Sequence, residues 1–364
     1  MFKMNRIMGR YKRFFAAEKR IDTLLIMNTG SQDPNFYYLT GFKSSLFEKN
    51  ILLISKNHAY LFTYDLEYQD AVRQKFPGME VVRMGNTVRA MTLLLKEIKG
   101  KRIGINGEFL PFNYYEKLSK AYKPKTMIDV SESLANARLI KDKNEIENIR
   151  KAAKITKTAH MLIQKHFKVG ITEIGLAKKF DEISAELGSE GPSFETIVCF
   201  GSNAALPHHS PDNTKLKKGD IILIDAGAKV NRYCSDITRS SLFGRKSVED
   251  YRKKKEMYDT VKEAHDLALK SIREGVPLSR VHFIAADYIN KKDNGKYNGK
   301  FIHSLGHSLG IEVHDGPGFS PAYSNIKAKA GMVITDEPGI YIKGFGGIRI
   351  EDDVLVTEKG AVIL

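Results

Sequence analysis

The chain has 364 residues, 42% of them hydrophobic, with 58 Lys and Arg against 43 Asp and Glu and a formal charge of +15. That length suits a small and a larger domain, and the composition excludes a disordered, collagenous or membrane-spanning class. No apolar run approaches the ~20 residues of a membrane span, and two cysteines, Cys199 and Cys234, make no disulfide framework and fit a reducing cytoplasm.

The opening MFKMNRIMGRYKRFF is basic throughout and lacks a continuous apolar core, so it does not read as a secretory signal. Elsewhere the basic residues interleave with apolar residues at helical spacing, as in YRKKKEMYDTVKEAHDLALK, and read as solvated helix faces. No recognised nucleic-acid-binding motif accompanies them.

Residues 1–131 alternate strands and helices. TLLIMN, NILLISKNHAYLFT, MEVVRM and KRIGING have strand character; AMTLLLKEIKG and NYYEKLSKAY have helical spacing. They predict a small α/β domain. Near residue 131 a junction leads to Asp142, whose spacing to Glu145 predicts a capping box. Residues 132–364 then predict helices over roughly 143–166, 173–187, 248–273 and 277–290. β-Branched strands sit in ETIVCFGS, DIILIDAGAKV, RYCSDITRSSLF, MVITDEPGIYI and GGIRIEDDVLVTE. Helices beside a largely antiparallel sheet describe an α+β domain.

The chemistry concentrates in the second part. In IILIDAGAKVNRYCSDITRS an apolar strand runs into Asp225, and a hairpin centred on Val230 and Asn231 would set Asp236 directly opposite. Two carboxylates that close repel unless a cation lies between them. FIHSLGHSLGIEVHDGPG offers His303, His307 and His314 among glycines that disfavour a helix, which predicts a loop presenting imidazoles. A second histidine group, His208 and His209, lies in LPHHSP. Glu337 ends an apolar strand before Pro338 and Gly339. In GGIRIEDDVLV the strand period puts Arg349, Glu351 and Asp353 on one face, leaving Glu351 and Asp353 as equal candidates for a ligand. Four carboxylates and one imidazole balance two divalent cations and favour Mn²⁺, Co²⁺, Fe²⁺ or Zn²⁺ over a thiolate-bound ion. Cys234 reads as a small core residue.

The order Asp, Asp, His, Glu, Glu across IDAGAKVNRYCSDITR, HSLGHSLGIEVHDGPG, TDEPGIY and GIRIEDD resembles the pita-bread-fold dinuclear metallopeptidases, the M24 family of Xaa-Pro dipeptidase (prolidase), aminopeptidase P and methionine aminopeptidase. The amino-terminal part, including NFYYLTGF, resembles the creatinase-type domain of prolidases and aminopeptidase P, which methionine aminopeptidases generally lack. The resemblance implies a pita-bread catalytic domain over 132–364 behind a creatinase-type domain over 1–131. It implies metal ligands Asp225, Asp236, His307, Glu337 and Glu351, with Asp236 and Glu351 bridging two ions, Mn²⁺ foremost. Glu337 would also move the proton of the attacking water; His208, His303 and His314 would hold substrate and stabilise its tetrahedral intermediate; Arg349 would support the bridging glutamate. The implied activity is hydrolysis of the bond before proline in di- or oligopeptides by a cytoplasmic homodimer that needs neither membrane nor nucleic acid. Creatinase shares the fold but works without these metals, and pita-bread proteins that only bind partners have lost the ligands retained here.

Three positions depart from the family pattern. Asp315 stands where Glu commonly follows the third histidine, and Ser308 replaces the second glycine of GHGxG, the one directly after His307. Gly318 follows Pro317 where some prolidases carry an arginine for the product-side carboxylate.

Overall fold

The computed structural model describes residues 2–30, 32–84 and 88–364, which form two compact units, Met1–Arg138 and Leu139–Leu364. In chain order the first comprises α1 (Phe2–Ala17), β1 (Thr23–Thr29), α2 (Pro34–Thr40), β2 (Lys49–Ile54), β3 (Ala59–Thr63), α3 (Asp65–Gln74), β4 (Met79–Arg83), α4 (Val88–Ile98), β5 (Arg102–Ile105), α5 (Phe112–Tyr122), β6 (Thr126–Asp129) and α6 (Ser131–Leu139). Its strands make one mixed sheet in the order β4-β3-β2-β1-β5-β6. The basic opening segment is the helix α1: Ile7, Tyr11 and Phe14 recur at helical spacing and are buried. Tyr11 donates to the Leu39 carbonyl at 2.8 Å, and Arg10 is buried over the Tyr38 ring. The apolar positions of this segment are too sparse for a membrane but sufficient to dock a helix.

The first unit runs past the expected boundary near 131. Ser131 bonds the Asn106 side chain at 2.9 Å and Arg138 bonds Asn35, which ties α6 to it.

The second unit comprises α7 (Lys143–Leu162), α8 (Glu173–Glu186), β7 (Ile197–Phe200), β8 (Ile221–Ala226), β9 (Lys229–Val230), β10 (Tyr233–Cys234), β11 (Ile237–Leu242), α9 (Val248–Ser271), α10 (Leu278–Lys291), β12 (Val333–Asp336), β13 (Gly339–Ile342), β14 (Gly346–Arg349), β15 (Asp352–Val356) and β16 (Ala361–Ile363). All its strand pairings are antiparallel: β11-β8-β7, β12-β15-β16 and the hairpins β9-β10 and β13-β14. Asp142 caps α7 in the predicted capping box with Glu145. Met257, Val261, Ala264 and Ala268 lie along one face of α9 and enter a core with Ile221, Leu223, Ile334, Ile348 and Val354. Each fully buried side chain of Val or Leu size contributes about 1.5–3 kcal/mol relative to exposure. That core fixes β8, β12, β14 and β15, the strands that end at the acids. Among the described residues, no helix is long and apolar enough to cross a membrane.

Candidate metal centre

Asp225 sits near the end of β8, where four buried aliphatic residues precede it. The structure corrects the expected register. Asn231 and Arg232, with φ of 48° and 69°, form the turn, so Val230 pairs with Tyr233 and Asp225 faces Thr238. The reason is local. Asn tolerates the left-handed region, and the Glu190 carboxylate accepts both turn N–H groups, at 2.9 and 3.0 Å. Asp236 lies just before β11, two residues from Thr238.

His307 comes from an irregular segment, as its glycines predict. A Cβ on Gly306 would lie 1.8 Å from the Thr335 carbonyl oxygen, so only glycine lets this loop pair with β12. Thr335 accepts the His307 N–H on its side chain at 3.0 Å and gives its own N–H to the His307 carbonyl at 2.9 Å. Glu337 follows β12, its N–H held by the Leu305 carbonyl. A Cβ on Gly318 would fall 2.2 Å from the Gly306 carbonyl oxygen, so the same close packing leaves that position no room for a side chain.

All nine residues expected at the site line one cavity of about 610 Å³: Asp225, Asp236, His307, Glu337, Glu351, His208, His303, His314 and Arg349. Phe194, Ile197, Val313 and Tyr323 line it as well. Asp353 does not; its two oxygens accept the Asp236 N–H, each at 3.2 Å. The structure thus separates the two acids that strand period leaves equal.

The charges are crowded. Burial, then repulsion from Glu351, Asp225 and Glu337, raises the Asp236 carboxyl well above its ordinary range. Burial and Glu337 do the same to Glu351, and burial pushes Glu337 up to about 8. Oδ1 of Asp225 and of Asp236 are buried without a hydrogen-bond partner. His307 Nδ1 faces the Ser308 carbonyl at 3.3 Å, which can only accept, so Nδ1 carries the proton. Nε2 is left with a lone pair aimed at Asp236 Oδ2 and Glu337 Oε1, 3.5 and 3.6 Å away. Burial lowers the His307 pKa to about 4 and keeps the ring neutral. A lone pair facing carboxylate oxygens, beside orphaned acid oxygens, is an arrangement that a cation satisfies. Asp236, His307 and Glu351 each offer a donor atom within 4.8 Å of the others.

Two groups that orient these acids, Thr238 and Tyr341, were not among the expected site residues. Thr238 donates to Glu351 Oε2 at 2.6 Å and accepts from Arg349 Nε at 2.9 Å. Arg349 also bonds Asp225 Oδ2 and the Tyr341 hydroxyl, the latter at 3.2 Å. His303 Nδ1 gives its proton to the Ser304 carbonyl at 2.7 Å, so Nε2 accepts from Tyr341 at 2.8 Å. Period two along β11 put Thr238 on the Asp236 face and was the available signal; Tyr341 carried none. The ring centroid of His314 is 4.1 Å from that of His307. Cys234 is buried and donates to the Ile311 carbonyl, as a core residue. Another trio, Glu173, His209 and Asp212, also brings donor atoms within 4.8 Å of one another.

Residues 147–358 match the family model of metallopeptidase family M24, and residues 13–140 match the creatinase/prolidase N-terminal domain. An uncharacterized peptidase of Staphylococcus aureus is 35% identical over 332 residues, 91% of this chain and 92% of that protein. The Xaa-Pro dipeptidase from Bacillus anthracis superposes with a TM-score of 0.88 at 30% identity, covering 98% of this chain and 97% of that one. An X-Pro aminopeptidase from Thermotoga maritima gives 0.86 at 33%, covering 96% and 97%.

Proposed function

Because the chain belongs to metallopeptidase family M24, we propose that it hydrolyses the peptide bond before proline, foremost as an Xaa-Pro dipeptidase. The observation that carries this reading is the convergence of four carboxylates and an unprotonated imidazole nitrogen in one cavity with apolar walls. Asp225, Asp236, His307, Glu337 and Glu351 would hold two divalent cations. Such ions, when bound, lower the pKa of water and polarise a carbonyl oxygen. We propose manganese(II), with cobalt(II), zinc(II) and iron(II) meeting the same donor preference.

The chain's own groups supply the rest. Glu337 takes the proton of the attacking water and passes it to the departing proline nitrogen, which must gain one to leave. The side chains of His208 and His314 have no hydrogen-bond partner among the described residues. They are free to donate to the scissile carbonyl oxygen as negative charge builds on it. His303, with both ring nitrogens engaged, instead holds Tyr341 against Arg349. An Xaa-Pro bond has no N–H, so Phe194, Ile197, Val313 and Tyr323 select the substrate by ring shape. A cytoplasmic homodimer completes the proposal; the family resemblance supports the dimer, and two free buried cysteines fit the compartment.

The second reading is an Xaa-Pro aminopeptidase. It draws support from the Thermotoga neighbour and from Gly318, where an arginine for a dipeptide's carboxylate would stand. Hydrolysis of Met-Pro and Met-Pro-Gly by metal-stripped protein titrated with Mn²⁺ decides between them. Cleavage of Met-Pro alone supports the dipeptidase, and cleavage of both moves the assignment to the aminopeptidase. Turnover of neither, with two ions bound, overturns the Xaa-Pro reading.

A further inference from the structure

His208 is exposed and lines the cavity, yet no side-chain hydrogen bond among the described residues fixes it. Its place depends on its backbone, and that backbone is clamped from beneath. Glu173, the first residue of α8, is fully buried. Its Oε1 accepts the Phe200 N–H at 2.7 Å and the Asn203 amide at 3.0 Å. Its Oε2 accepts His209 Nε2 at 2.7 Å and the Asp212 N–H at 3.1 Å.

Four donors therefore converge on one carboxylate, two from residues before His208 and two from residues after it. The short 3-10 turn Gly201–Ala205 lies within this span and packs against β14: Cβ atoms on Gly346 and Gly347 would meet the carbonyl oxygens of Gly201 and Ala204 at 2.9 and 2.0 Å. The loop carrying His208 is thereby pinned to the strand carrying Arg349. Glu173, His209 and Asp212 have the composition of a cation site, but both Glu173 oxygens are already occupied by N–H donors, which a cation would have to displace.

We propose that Glu173, together with His209, is a positioning residue for the reaction: it fixes the chain on both sides of His208 and so sets where the His208 imidazole meets the substrate. The proposal rests on the reading of His208 as a substrate-contacting group. A neighbouring neutral amide cannot substitute, because a glutamine at 173 offers one acceptor oxygen and turns an N–H₂ toward donors. Displacing a reacting group by about 1 Å costs on the order of a hundredfold in rate.

The test is a double-mutant cycle on kcat/KM for Met-Pro with Mn²⁺, using Glu173→Gln, His208→Ala and the pair, with folding verified by circular dichroism. Glu173→Gln is expected to lower kcat about tenfold to a hundredfold with little change in KM. In the His208→Ala background it should add less than about a twofold loss, because residues acting through one another are not additive. Equal losses in both backgrounds overturn the proposal. His209→Ala should reproduce the loss and His209→Gln, which keeps a donor, should restore most of it; this pair decides the matter if Glu173→Gln does not fold. No restoration overturns it. Should His208→Ala itself prove silent, or the protein cleave no Xaa-Pro peptide, the functional reading fails on its own. The His208 ring resonances of ¹⁵N-histidine protein then decide: a shift in His209→Ala that His209→Gln reverses supports the clamp, and unmoved resonances overturn it.

Discussion

Asp353 accepts the backbone N–H of Asp236 with both carboxylate oxygens, each at 3.2 Å. An acid that shares a strand face with Glu351 therefore serves the site from outside the cavity, by holding the main chain of an acid inside it. Removing such a support typically costs 10–100-fold in metal affinity or activity. Asp353→Ala should weaken Mn²⁺ binding by about that factor, and Asp353→Asn, which keeps an acceptor oxygen, by less. Calorimetric titration of both variants checks this; equal affinities for wild type and Asp353→Ala would contradict it.

Arg349 is buried and bonds Asp225, Thr238 and Tyr341. Removing one partner of a buried ion pair destabilises by about 3–5 kcal/mol, because the other charge is left uncompensated. Arg349→Met should lose roughly that much in chelator-treated protein. With Mn²⁺ present the loss should be smaller, since the ion then compensates Asp225. Urea unfolding in each condition measures both; identical losses would show that Arg349 does not share the neutralising role.

His160 lies buried in α7 and donates Nε2–H to the Ile237 carbonyl at 2.9 Å. Burial lowers its pKa from 6.5 to about 4. Between those values the unfolded chain binds a proton that the folded protein refuses. The neutral ring's contribution is thus complete above pH 6.5 and is lost as pH falls toward 4, to the extent of about 3 kcal/mol. His160→Gln keeps a donor without the titration. Its unfolding free energy should fall less than the wild type's between pH 7 and pH 4.5, and parallel curves would refute the assignment.

Gly306→Ala places a methyl group where the Thr335 carbonyl oxygen lies 1.8 Å away. Backbone cannot yield as a flexible side chain does, so the loop must leave β12 and take the His307 ring with it. We expect loss of metal-dependent activity by at least about a hundredfold and a lower melting temperature. Activity near wild type would show that the loop adapts.

The second unit's four helices were legible because apolar residues recur at their period over long stretches, as Met257, Val261, Ala264 and Ala268 do in α9. Runs such as IILI, ending at an acid, likewise marked β8. The register of the hairpin beyond it was not legible. It depends on Asn231 and Arg232 turning left-handed over Glu190, a residue about forty positions away in sequence, and no local pattern carries that contact. The same limit hid Thr238, Tyr341 and Glu173, whose roles arise only where separate segments meet. The helix α1 was passed over because its charged residues obscure the buried positions Ile7, Tyr11 and Phe14.

The most direct test of the account is to count bound ions while following turnover. Metal-stripped protein is dialysed against increasing Mn²⁺, metal content is measured by mass spectrometry, and Met-Pro hydrolysis is assayed on the same samples. Activity should rise with occupancy to two ions per chain, and Asp236→Ala should lower occupancy and activity together. Full turnover in the stripped protein, or two bound ions retained by Asp236→Ala, would contradict it.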